Sequence, residues 1–313
     1  MRPAIVIAAL AAAIVLAGVA VLAAFLLTGE PDGSPEGSGE DAAAAVFVGA
    51  GDIAECSTQG DEATVAILDE VVAEHPDAVV FTTGDNAYQD GSYEAYLECY
   101  EPSWGRHKER TRPAVGNHEF QQTQAEGYHR YWGDAGGPFD LYYYSFDLDG
   151  WHIVVLNSEC HRVGCEFGSD DGGQVEWLDR DLEGSGAGCT IAIWHTPRWS
   201  SGRYGNDPEY RTLWQVLYDH GAEIVLNGHE HLYERFEPMA PDGTLDPDGG
   251  IRQFTVGTGG GNLRGFRDLA DNSAARGSEH GVLQLTLGDG SYEWEFLAVD
   301  GGAFSDAGSG TCH

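Results

Sequence analysis

Six polar side chains, Asp52, Asp85, Asn117, His195, His229 and His231, each stand at or just after the end of an apolar, strand-like run. In an open α/β sheet, ligand-binding groups collect outside the carboxyl ends of strands. Strands of one sheet would therefore bring the six to a common edge, although they are spread from position 52 to position 231. Glycine precedes Asp52, Asp85, Asn117 and His229, allowing tight turns that aim such side chains inward. This pattern excludes an all-helical chain and predicts an α/β fold.

The intervening sequence supports that class. Ala45–Ala50, Ala78–Thr83, Trp151–Asn157, Cys189–Trp194 and Ile224–Asn227 are short apolar runs that predict buried strands. Gln59–Glu74 places Val65, Leu68, Val71 and Val72 on one helical face. Helical patterns recur at Tyr93–Leu97, Gly173–Leu182 and Pro208–His220, and Asp149-Gly150 predicts a hairpin. The tail predicts strands at Gln253–Val256, Val282–Leu287 and Tyr292–Val299. Strands alternating with helices first and dominating later imply a four-layer α/β/β/α sandwich of two mixed sheets flanked by helices.

Two carboxylates, one amide oxygen and three imidazoles suit two metal ions with nitrogen and oxygen preference, such as Fe, Zn or Mn. Asp85 is the natural bridge, because a carboxylate offers two oxygens. His229 and His231 are one residue apart, so in an extended segment both rings leave the same side. Five such blocks in order, all at strand ends, are not explained as turns and surface loops.

The blocks Gly51-Asp52, Gly84-Asp85-Asn86-Ala87-Tyr88, Gly116-Asn117-His118-Glu119, Ile193-Trp194-His195 and Gly228-His229-Glu230-His231 resemble those of the calcineurin-like metallophosphoesterases. Tyr88, three residues after Asp85, narrows the resemblance to the purple acid phosphatase branch, whose phenolate binds Fe(III) and gives the colour. YYSFDLDGWHIVVLNSE, QVEWLDRDL and GHEHLYERF match as well. The resemblance implies one metal on Asp52, Asp85, Tyr88 and His231, and a second on Asp85, Asn117, His195 and His229. Fe(III) paired with Fe(II), Zn or Mn is the implied pair.

It further implies a phosphatase hydrolysing small phosphate monoesters by attack of a metal-bound hydroxide. His118 would contact the phosphate or protonate the leaving oxygen. A phosphodiesterase, including one for cyclic nucleotides, is the alternative; a non-catalytic membrane-tethered binding protein is a more distant one. Family members often carry another histidine after the fourth block. Here that stretch reads TPRWSSGRYGND, and Arg203 or Tyr204 is expected to contact substrate instead. Asp242, Asp246 and Asp248 form an acidic turn, His161 lies between two cysteines, and Gly257–Gly261 reads as a tight turn near the site.

A net charge of −35, with Lys108 the single lysine, argues against a nucleic-acid partner. Six cysteines allow up to three disulfides, and Cys160 and Cys165 are spaced to staple one loop. Ala4–Leu27 is an uncharged run long enough to span a bilayer, with Arg2 before it. Residues 1–27 are thus expected to be a signal anchor or signal peptide, giving an extracytoplasmic protein, membrane-anchored or secreted. Residues 28–44 are expected to be a flexible acidic linker and 45–313 one catalytic domain. The oligomeric state is not legible.

Overall fold

The computed structural model describes residues 44–165 and 173–313. The apolar run at 4–27 and the linker up to residue 43 lie outside them. Among the described residues no helix is long and apolar enough to cross a membrane.

The strands, in chain order, are β1 (Ala45–Ala50), β2 (Val79–Thr82), β3 (Thr111–Arg112), β4 (Tyr144–Leu148), β5 (Trp151–Val155), β6 (Cys189–Ile193), β7 (Ile224–Asn227), β8 (Tyr233–Phe236), β9 (Arg252–Val256), β10 (Ser273–Gly277), β11 (Gly281–Gly288), β12 (Ser291–Ala298) and β13 (Ala307–Thr311). They form two mixed sheets, ordered β13-β12-β11-β1-β2-β3 and β10-β8-β9-β7-β6-β5-β4. In the first, β1, β2 and β3 run parallel; in the second, β5, β6, β7 and β9 do.

Alternation within the central strands fixes the layering. Ile153, Val155, Ile191, Ile193, Ile224 and Leu226 join Phe47, Phe81, Leu283 and Leu285 in one core between the sheets. Their neighbours Val154, Ala192, Trp194 and Val225 face the other way. There they meet Leu178 and Leu182 of a helix at Gln174–Gly184, and Leu213, Trp214 and Leu217 of one at Arg211–Asp219. Both faces of these strands are covered, which is why they read as unbroken apolar runs. A helix at Gly60–Glu74 buries Val65, Leu68 and Val71 against the first sheet, with Val72 at the margin.

The hairpin at Asp149-Gly150 forms as expected, both residues having positive φ (45° and 87°), as a tight β4–β5 turn requires. Three disulfides join Cys56 to Cys99, Cys160 to Cys165 and Cys189 to Cys312. The last ties β13, the edge of the first sheet, to β6 in the second.

Candidate metal centre

The six strand-end residues do converge, but not on one sheet. Asp52, Asp85 and Asn117 follow β1, β2 and β3 of the first sheet, whereas His195, His229 and His231 follow β6 and β7 of the second. The expectation of a single sheet fails because strands buried on both faces carry no mark of which sheet they join. The shared edge is a seam where the carboxyl ends of both parallel segments meet.

Around this seam the polar atoms fall into two sets. Tyr88 Oη lies 2.8 Å from Asp52 Oδ1, 3.2 Å from Asp85 Oδ2 and 3.1 Å from His231 Nε2. Asn117 Oδ1 lies 3.1 Å from His195 Nε2 and 2.9 Å from His229 Nδ1, and those two nitrogens are 3.3 Å apart. Asp85 Oδ2 belongs to both sets, standing 3.2 Å from His195 Nε2. Asp52, Asp85 and His195 by themselves bring ligand atoms within 4.8 Å of one another, close enough to hold a metal ion.

Outer partners leave the inward atoms available. His195 Nδ1 donates to the Thr83 carbonyl and His231 Nδ1 to that of Asn262, each at 2.8 Å, so both Nε2 atoms face the seam. Asp52 spends Oδ2 on the His229 amide (2.7 Å) and Asp85 spends Oδ1 on the His118 amide (2.8 Å). One oxygen of each carboxylate therefore remains turned inward.

The local backbone is unusual where it must be. Asp52, Asp85 and His229 have φ of 56°, 49° and 67°, a left-handed conformation that is costly outside glycine. The expectation that His229 and His231 share one side of an extended segment is therefore wrong: at φ 67° the chain turns, and the two rings serve opposite sets. The preceding glycines work mainly by clearance. A Cβ on Gly116 would lie 2.3 Å from Asp85 Oδ1, and one on Gly228 2.7 Å from Asp52 Oδ2.

Charge is concentrated in a buried space. Burial would raise the Asp85 and Asp52 carboxyls, yet neighbouring imidazoles, His195 and His118 for Asp85 and His231 for Asp52, hold both below the usual carboxylate range. Against burial, Asp85 and Asp52 lift His195 to about 10. Burial and then His195 push His229 down to about 4. Burial, Asp52 and Asp85 lift the Tyr88 phenol well above its normal range. Cations bound in this acid-rich seam would offset its charge and compete with protons for its imidazoles.

His118 sits at the rim. Its Nδ1 is held by the Gln89 carbonyl, its ring meets the Tyr88 ring edge-on at 4.6 Å, and Nε2 lies 3.8 Å from Asp85 Oδ2. Arg203 is exposed, with its guanidinium 5.6 Å from the centre of the Tyr204 ring. It is Tyr204 that touches the centre, stacking on His229 at 4.6 Å. His161 is exposed on a short turn. Asp242 bonds Thr244 while Asp246 accepts from Tyr218, so the acidic turn spends those oxygens internally. The 257–261 segment backs the site, Gly261 donating to the Asp52 carbonyl at 2.7 Å.

Two buttresses escaped the sequence reading although both lie inside its blocks. Buried Glu119 accepts from the amides of Asp85 (3.1 Å), Asn86 (2.8 Å) and Gly116 (2.8 Å), clamping the second and third blocks together. Buried Glu230 accepts from the amides of Arg203 (2.9 Å) and Tyr204 (2.6 Å), fixing that loop beside His229 and His231. The available signal was an acid within a glycine-led motif, next to a residue already singled out.

Two mixed sheets meeting at an edge lined by carboxylates, an amide and imidazoles define a metallophosphoesterase fold. The calcineurin-like phosphoesterase family model matches residues 46–233, more than half of the chain, and the chain belongs to that family. Purple acid phosphatase 15 of Arabidopsis thaliana is 31% identical over 201 residues, 56% of this chain and 36% of that protein. Purple acid phosphatase 21 of the same plant is 32% identical over 191 residues, 53% of this chain and 42% of that protein. The matches thus span about two fifths of these relatives. The purple acid phosphatase PPD1 of yellow lupin superposes with a TM-score of 0.69 at 16% identity, covering 85% of this chain and 53% of the other. GAP50, described as the anchor in the inner membrane complex of Plasmodium, gives 0.67 at 14% identity, covering 87% and 90%. At these identities the likeness shows the fold alone.

Proposed function

We propose that this protein is an extracytoplasmic two-metal phosphatase acting on small phosphate monoesters. The observation that carries the reading is the pair of donor sets sharing Asp85. Their chemistry fits two cations: Asp52, Asp85, Tyr88 and His231 would hold one, and Asp85, Asn117, His195 and His229 the other. Tyr88 argues for Fe(III) in the first set, since a phenol so hard to ionise needs a trivalent partner; Fe(II), Zn or Mn suits the second. Such ions acidify a water and neutralise charge on the phosphoryl oxygens.

The chain's own groups supply the rest. His118, with Nδ1 tied to a carbonyl, presents Nε2 to the ester and donates a proton toward the leaving oxygen. Glu119 and Glu230 hold the loops that orient substrate against this edge. Arg203 contacts substrate from the lip, outside the donor sets. Three disulfides support an oxidising, extracytoplasmic location.

The test is hydrolysis of a chromogenic phosphate monoester and the matching diester by the metal-loaded protein, alongside Asn117→Ala and a metal-stripped sample. Monoester turnover that falls at least about 100-fold in both controls is expected. Preference for the diester would replace the monoester assignment. Turnover of neither ester by folded, metal-loaded protein would end the enzyme reading.

A further inference from the structure

Beside the donor sets, the segments at 200–206 and 267–271 enclose a cleft of about 390 Å³. Its walls include Arg203, Tyr204, Arg267, Leu269, Asp268 and Asp271. Tyr204 is shared by the cleft and the metal centre: it lines the cleft, and its ring stacks on His229 and lies 5.7 Å from the Arg264 guanidinium. Arg264 is pinned to the ligand loop, its amide donating to the His231 carbonyl (2.8 Å) and its guanidinium to that of His229 (3.2 Å).

Arg203, Arg264 and Arg267 lie close together in sequence or space around Tyr204, in a chain with 51 acidic and 16 basic residues. Among the described residues, the arginines that form ion pairs are Arg106, Arg162, Arg180, Arg235 and Arg252. Arg203, Arg264 and Arg267 have no carboxylate partner, although Asp268 and Asp271 lie in the same walls. Arg203 and Arg267 thus place two guanidiniums without a carboxylate partner in the walls of one cleft, and Arg264 adjoins it through Tyr204. A guanidinium fork is shaped for carboxylate or phosphate oxygens. Tyr204 and Leu269, exposed by 55% and 62%, add apolar surface to the cleft.

We propose that this cleft is a distal subsite selecting phosphate esters whose leaving group carries a second anionic group. The inference rests on the phosphoesterase reading and specifies its substrate class. The reacting phosphoryl group occupies the metal edge, the body of the leaving group lies over Tyr204, and its second anion meets Arg203 and Arg267.

The test compares 4-(carboxymethyl)phenyl phosphate, 4-methylphenyl phosphate and 4-(aminomethyl)phenyl phosphate at low ionic strength. The expected kcat/KM for the carboxylate ester exceeds that for the methyl ester by about fivefold to tenfold, in line with one or two charge-assisted contacts. Arg267→Ala should bring that ratio near one, Arg267→Lys should restore part of it, and Arg267→Glu should invert it toward the amine. Arg267 is exposed, so these changes leave the fold intact. Equal losses on all three esters would mean a structural role, and preference for the amine in the unaltered protein would mean Asp268 and Asp271 govern the cleft; either overturns the proposal. Calorimetric titration of the metal-loaded protein with benzylphosphonate and 4-carboxybenzylphosphonate reads the same ratio without turnover. Failure of hydrolysis with a retained binding preference would therefore count against the enzyme reading and for the subsite.

Discussion

At the scale of single residues, the centre is built from atoms whose freedom has been removed elsewhere. His195 and His231 each spend Nδ1 on a backbone carbonyl, so ring orientation is set before any ligand arrives. Tyr88 is the residue with the sharpest spectroscopic consequence. Its oxygen sits among Asp52, Asp85 and His231, and the phenol resists ionisation unless a strongly charged cation draws the proton off. Tyr88→Phe should therefore abolish any visible charge-transfer band of the iron-loaded protein while iron content, measured by elemental analysis, stays near two thirds or more of the parent's (roughly three of four donors remain in that set). An unchanged band in Tyr88→Phe would remove Tyr88 from the ligand set.

At the scale of elements, what matters is the join between a strand end and its loop. Glu119 draws four amides, those of Asp85, Asn86, Ala87 and Gly116, from two loops onto one buried carboxylate. Glu119→Ala leaves those donors unpaired in a dry interior and is expected to cost about 3 kcal/mol of stability, read as a shift in denaturation midpoint. Metal affinity should fall about 10- to 100-fold in the same variant, because Asp85 and Asn117 both depend on the clamp. A normal midpoint and normal affinity would show the clamp to be dispensable. Much of this scale was legible in the sequence. β1, β2, β6 and β7 appear as apolar runs closed by polar motifs, and the hairpin appears in Asp149-Gly150. β10, reading SAARG, and β13, reading AGSGT, lack any strand signal because pairing and packing make them strands. In β13, Gly308 and Gly310 leave room for the rings of Trp294 and Tyr292, contacts that no local pattern encodes. The gathering of Asp52, Asp85, Asn117, His195, His229 and His231 was legible for a related reason: each sits at or just after the end of a strand-like run. Its division between two sheets was not, since sheet membership is decided by distant partners.

For the whole molecule, electrostatics sets the working range. Glu223, buried at the start of β7, is raised by burial from 4.5 to about 7 and accepts from the Thr190 amide at 2.5 Å. A folded-state value above the unfolded one means that the native state binds more protons between those two pH values. The contribution is complete below about pH 4.5 and is lost as the pH rises through 7. Glu223→Gln keeps an oxygen for Thr190 and cannot ionise, so its stability should decline less across that window, with a gain over the parent of up to about 3 kcal/mol at pH 8. Denaturant midpoints at pH 5 and pH 8 decide it: equal pH sensitivity in both proteins would show that Glu223 titrates normally.

The seam between the sheets also divides labour by element. Every proposed oxygen ligand (Asp52, Asp85, Tyr88, Asn117) follows a strand of the first sheet, and every proposed nitrogen ligand (His195, His229, His231) a strand of the second. Alone, the first sheet would offer an all-oxygen surface suited to hard ions such as magnesium or calcium, and the second a bare imidazole cluster. On the proposed assignment, only their docking would offer the mixed coordination that borderline metals prefer. Choice of metal is in this sense a tertiary property, created by two secondary structures meeting and absent from either one.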